Sequence, residues 1–89
     1  MYNLSISEQL NRTFKKLARK NRAQMEIINK KIPKILENPY HFKPLRGDMF
    51  GERRVHIDSH FVLTFEIDET NKTVRFLDYD HHNVIYHER

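Results

Sequence analysis

Six cationic or titratable side chains crowd the C-terminal half of this chain: Arg53, Arg54, His56, His60, His81 and His82. They belong to a stretch from Lys43 to Tyr86 that reads as three successive strands closed by a histidine pair. Arg54 and His56 alternate with Val55 and Ile57, which places the first two on the polar face of a strand. Antiparallel pairing brings strand ends within about 5–10 Å of one another. Imidazole titrates near pH 6.5, so two such rings can divide the work of general base and general acid. A phosphodiester also needs cations where its oxygens gain charge in the transition state. Lys43, Arg46, Arg53 and Arg54 are the candidates for that role. Cleavage of RNA by attack of its own 2′-hydroxyl requires no more than these parts, and no metal.

Plainer readings stand beside this one. Arg54 and His56 also suit an ordinary wet sheet face. Zinc is a rival for any histidine cluster. His56 and His60 lie about 13 Å apart on an extended strand, however, and would need the Asp58-Ser59 turn to fold them onto one ion. Phe61, Phe65 and Phe76 read as core rather than as a stacking platform, and Asp78 and Asp80 as solvated charges. Tyr86 suits an anchor for the C-terminal segment.

The elements that must position these groups follow from periodicity. Tyr2, Leu4 and Ile6 alternate with polar residues and predict a short N-terminal strand. Ser7 is an N-cap for a helix over about 8–20, whose apolar stripe is Leu10, Phe14, Leu17 and Ala18. A second helix over about 22–37 carries Met25, Ile28, Ile32, Ile35 and Leu36 inward. Pro33 should kink it or detach its last turn, and Asn38-Pro39 should end it. The short connection predicts an antiparallel helical hairpin. Residues 40–51 form a loop. Next come strands at RRVHI, HFVLTFEI and TVRFLDY, joined by turns at Asp58-Ser59 and at residues 68–72. The tail after Tyr79 is too polar to continue the sheet for long, although Val84 and Ile85 could pack back on it. The expected fold is α+β: an N-terminal strand, a two-helix antiparallel hairpin, then a three-stranded antiparallel sheet. The helices would cover one sheet face and leave the other open.

Eighty-nine residues predict a single domain over 1–89. The absence of cysteine excludes disulfides and thiolate metal sites. No apolar run has the length of a secretory leader or a membrane span, so the expectation is a soluble, cytoplasmic protein. The net charge of +4 conceals an asymmetry. Residues 1–47 hold 11 Lys and Arg against 3 Asp and Glu, for +8; residues 48–89 hold 5 against 9, for −4. The basic half is a candidate polyanion surface, or simply a set of solvated helix faces.

The order of these parts resembles the RelE/ParE toxin superfamily of type II toxin–antitoxin systems, over nearly the whole chain. The carriers are Leu36-Glu37-Asn38 followed by Pro39, the loop KPLRGD at 43–48, and the strands from Arg53 to Tyr79. Within it, the YafQ-type branch of the messenger-RNA interferases matches best: Arg53, His56 and Ile57 precede a Leu-rich strand, and His82 stands four residues before Tyr86. The resemblance implies a RelE-like microbial RNase fold and a ribosome-dependent messenger-RNA endonuclease that works without metal or other cofactor. It also implies a cognate RelB-like antitoxin and no membrane partner. His56 and His82 would be the catalytic pair. Arg54 and Lys43 would steady the phosphate, His60 takes the place of an acidic residue, and Tyr86 or His81 would position the nucleotide. Arg46 and Arg53 would contact RNA. The cations of both basic helices from Arg12 to Lys34, among them Arg12, Lys15, Lys16, Arg19 and Lys20, would meet ribosomal RNA phosphates. Val62 and Asp78 stand where RelE-like members carry arginines. A ParE-like inhibitor of a topoisomerase, or a degenerate toxin surviving as a binding module, are the alternatives.

Overall fold

In the computed structural model, residues 1–45 and 51–87 are described, with backbone alone for 86 and 87. Strand β1 (Asn3–Ile6) leads into helix α1 (Glu8–Lys20), where the Ser7 hydroxyl accepts the Leu10 N–H at 3.1 Å. Asn21 closes α1 and opens helix α2 (Arg22–Glu37), accepting the Gln24 N–H on its side chain at 3.2 Å. Pro33 lies inside α2 without ending it; the helix stops at Asn38, ahead of Pro39, as expected. Pro39–His41 then make a 3₁₀ turn rather than open loop.

Strands β2 (Glu52–His56), β3 (Phe61–Asp68) and β4 (Thr73–His81) are antiparallel neighbours. The sheet has four strands, in the order β1-β4-β3-β2, because β1 joins it parallel to β4. The outer edge of β2 is itself paired: the Leu45 N–H donates to the Glu52 carbonyl at 2.8 Å, and the Arg54 N–H to the Lys43 carbonyl at 3.1 Å.

Both helices lie on one face. Leu10, Phe14, Ile28 and Ile35 form the core there with Val55, Ile57, Leu63, Phe65, Val74 and Phe76, all buried. The opposite face is less open than the sequence suggested. Cross-strand register puts Val62 in one row with His56 and Asp80, and that row faces away from the helices. Yet Val62 is fully buried, as is Ile85, and neither belongs to the helix-side core. The cause is a short helix, α3 (His82–His87), which turns back and packs against β3 and β4. The tail prolongs the sheet by only two residues past Tyr79 before α3 begins, in keeping with its polarity. Phe61↔His81 and Val62↔Asp80 continue the β3–β4 ladder, since backbone pairing tolerates polar side chains on a strand whose faces are partly wet.

Candidate active site

The site is built around the β2–β3 turn. The Asp58 carboxylate closes that turn by accepting the N–H groups of His60 (2.7 Å) and Phe61 (2.9 Å). These bonds, that from His60 first, hold its pKa below the usual carboxylate range. The His82 N–H donates to the His60 carbonyl at 2.6 Å, which fastens the start of α3 to the same turn.

Successive strand residues face opposite ways, so His81 and His82 diverge. The His82 ring meets that of His56, with centroids 6.1 Å apart and planes inclined by 31°. The His81 ring stacks on His60 at 5.9 Å and 16°. It also meets the edge of Phe61, which stacks on Tyr79, which in turn touches Phe14 of α1. The four histidines thus resolve into two pairs at one end of the sheet, on opposite faces. His56 and His82 share the face away from the helices, whereas His60 and His81 extend an aromatic column on the helix side. The Asn83 N–H donates to His81 Nδ1 at 3.1 Å, so that nitrogen is held as an acceptor.

His56 lies exposed on β2, although neighbouring atoms partly desolvate its ring. That desolvation, then the Arg54 guanidinium, then His82, lower its pKa below the ordinary histidine value. A neutral imidazole next to a cation is in the state a general base requires. Beyond His56, at the β2 edge, a cleft of about 420 Å³ continues along Arg54, Lys43, Phe42, His41 and Lys31.

The structure distributes the expected site residues unevenly. His56, Arg54 and Lys43 line this cleft, and His82 adjoins it through its contact with His56. His60 and His81 do not join them. Arg53 is engaged elsewhere: its Nη1 donates to the Phe42 carbonyl at 2.7 Å, and its guanidinium lies 5.2 Å from the Tyr40 ring centre. Arg12, Lys15, Lys16, Arg19 and Lys20 are exposed on α1, in the layer behind the sheet from the His56–His82 pair. Arg46 lies outside the described residues, and so does the Tyr86 side chain. Lys31 belongs to the basic helices expected to meet RNA, but its place at this cleft was not anticipated, nor were His41 and Phe42, because all three reach it only through packing. Val62 is fully buried on the face where α3 packs against β3. Among the described residues, no three His, Asp or Glu side chains converge to hold a metal ion. Nor is any helix there long and apolar enough to cross a membrane.

The sequence profile described as ParE toxin of type II toxin–antitoxin system, parDE, matches residues 2–86. The chain belongs to that family. A Methanosarcina mazei protein of uncharacterised role is 52% identical over 86 residues, covering 97% of this chain and 100% of that one. A Methanocaldococcus jannaschii protein that carries the name of a toxin, RelE4, is 44% identical over 86 residues, covering 97% and 92%. The solved YoeB/ParE toxin from Agrobacterium tumefaciens shares the fold with a TM-score of 0.80 at 18% identity, over 90% of this chain and 98% of that one. In this toxin-family chain the two imidazole pairs are therefore features of a recognised frame, and their chemistry has to be argued from their own geometry.

Proposed function

We propose that the protein is a messenger-RNA endonuclease, cutting translated messages on the ribosome in the cytoplasm and held in check by a RelB-like antitoxin. The single observation that carries this reading is the 6.1 Å approach of His56 and His82 on an exposed face beside Arg54. The base must reach the attacking 2′-oxygen and the acid the leaving 5′-oxygen, each at about 2.6–3.2 Å, and two rings this near on one face can serve both oxygens of one phosphodiester. His56, kept neutral by its surroundings, takes the proton of the attacking 2′-hydroxyl. That oxygen bonds to phosphorus, the bond to the 5′-oxygen breaks, and His82 in its protonated form delivers a proton to the leaving oxygen. The products are a 2′,3′-cyclic phosphate and a free 5′-hydroxyl. Arg54 and Lys43 stabilise the charge that gathers on the phosphate oxygens. The exposed cations of α1 meet ribosomal RNA phosphates, a contact that is salt-sensitive and indifferent to sequence.

Primer extension on a translated message, with purified protein and ribosomes, tests this. Wild type should produce discrete stops and His82→Ala should not; equal cutting by both would refute the assignment. The matched profile carries the ParE name, and a second reading is a ParE-like inhibitor of a topoisomerase without nuclease chemistry. DNA damage with intact messages after expression would establish that reading instead.

A further inference from the structure

The cleft between α2 and β2 is larger than one phosphate needs, and its remote end has no part in the chemistry just described. Its volume of about 420 Å³ lies within the range of ligand sites, roughly 300–1,000 Å³. Lys31, His41, Lys43, Arg54 and His56 all line it, and among the described residues no acidic one does. Among the described residues, neither Lys31 nor Lys43 is paired with a carboxylate. Cations converging on a walled groove focus positive potential into it. At the same end, His41 is exposed and meets Phe42 edge to face, with centroids at 5.4 Å and 84°. Phe42 is braced in the same manner by the buried Phe65, at 6.0 Å and 85°. His41 thus presents a ring held from behind, as a stacking surface for a base requires.

We propose that this cleft is the subsite for the nucleotide next to the scissile phosphate, with Lys31 on its phosphate and His41 against its base. The proposal rests on the endonuclease reading and adds two residues, Lys31 and His41, that position RNA without taking part in proton transfer. A single strand whose reacting phosphate lies between His56 and His82 has a continuous cationic path past Arg54 into this groove. Stacking is tolerant of base identity, so the subsite fixes the strand's course rather than its sequence.

The test is fluorescence anisotropy with a short, labelled single-stranded oligoribonucleotide whose central sugar is 2′-deoxy, which prevents cleavage, starting at about 50 mM salt. His41→Ala should weaken binding about 5- to 150-fold, the range for loss of one stacked base. Lys31→Ala should reduce the slope of log affinity against log salt by about 0.7, one phosphate contact on a single strand, and Lys31→Arg should restore it. Wild-type affinity unchanged in Lys31→Ala and His41→Ala, or no wild-type binding at this salt, would overturn the proposal. Equally tight binding of adenosine monophosphate would overturn it too, by making the cleft a free-nucleotide site. His82→Ala keeps the two readings apart. If it still cuts messages while Lys31→Ala and His41→Ala bind poorly, the catalytic assignment fails and the subsite stands.

Discussion

Removal of the two paired imidazoles, singly and together, probes the chemistry most directly. The ring centroids stand 6.1 Å apart on one face, near enough in the proposed reading for one ring to serve the 2′-oxygen and the other the 5′-oxygen of a single phosphodiester. Loss of one general acid or base costs about 10²- to 10⁴-fold in rate, or roughly 2.7–5.4 kcal/mol at 1.36 kcal/mol per decade. His56→Ala and His82→Ala should each fall in that window. Groups that act as a unit are strongly non-additive, so the double variant should lose no more than about tenfold beyond the worse single one. Neither side chain is buried, so stability should move by no more than about 0.5 kcal/mol, or roughly 2–4 °C in Tm. Single-turnover cleavage of a translated message on saturating ribosomes provides the rates, and circular dichroism the melting points. A double variant that loses the product of the two single effects would show rings working independently. A His82→Ala rate within threefold of wild type would end the argument.

The acid limb of the kcat/KM profile should have its midpoint below the ordinary histidine value near 6.5, because the His56 pKa is lowered and its neutral form persists to lower pH. Arg54→Gln removes one cause of that shift and should move the limb upward; a limb that stays in place would dissociate it from His56. Ile85→Ala, at a fully buried position of α3, should cost about 2–5 kcal/mol and expose the α3 amides to hydrogen exchange before those of β3. Simultaneous exchange of both elements would disprove separate docking. At the opposite end of the sheet, Glu69 accepts the hydroxyls of Tyr2 and Tyr40 and pairs with Lys72. The Lys72 ammonium first, then the two tyrosines, hold its pKa at about 2 against an ordinary 4.5, while the bond to Glu69 pushes Tyr40 up to about 12. The Glu69 contribution to stability is therefore complete above pH 4.5 and lost as pH falls toward 2. That of Tyr40 is complete below pH 10 and lost as pH rises toward 12. Glu69→Gln should flatten both limbs of the urea-midpoint profile, and limbs as steep as in wild type would refute it.

The sequence determined by itself what depends on short-range pattern. The bounds of α1 and α2, the stop at Asn38-Pro39, the three antiparallel strands and the basic N-terminal half follow from periodicity, capping chemistry and composition, which act within a few residues. His56 and His82 were also legible as candidates, since both stand at strand ends. Tertiary structure alone decided which histidine meets which. That depends on the β3–β4 register and on α3, whose six residues are too few to be stable without the apolar anchor of Ile85. The same packing joined β1 to β4 in parallel across most of the chain's length, and it tied Arg53 to Phe42 and Tyr40. It also brought Lys31 and His41 to the cleft. Contacts between residues remote in sequence leave no periodic trace, because their partners are chosen by the sheet's closure and not by their neighbours along the chain.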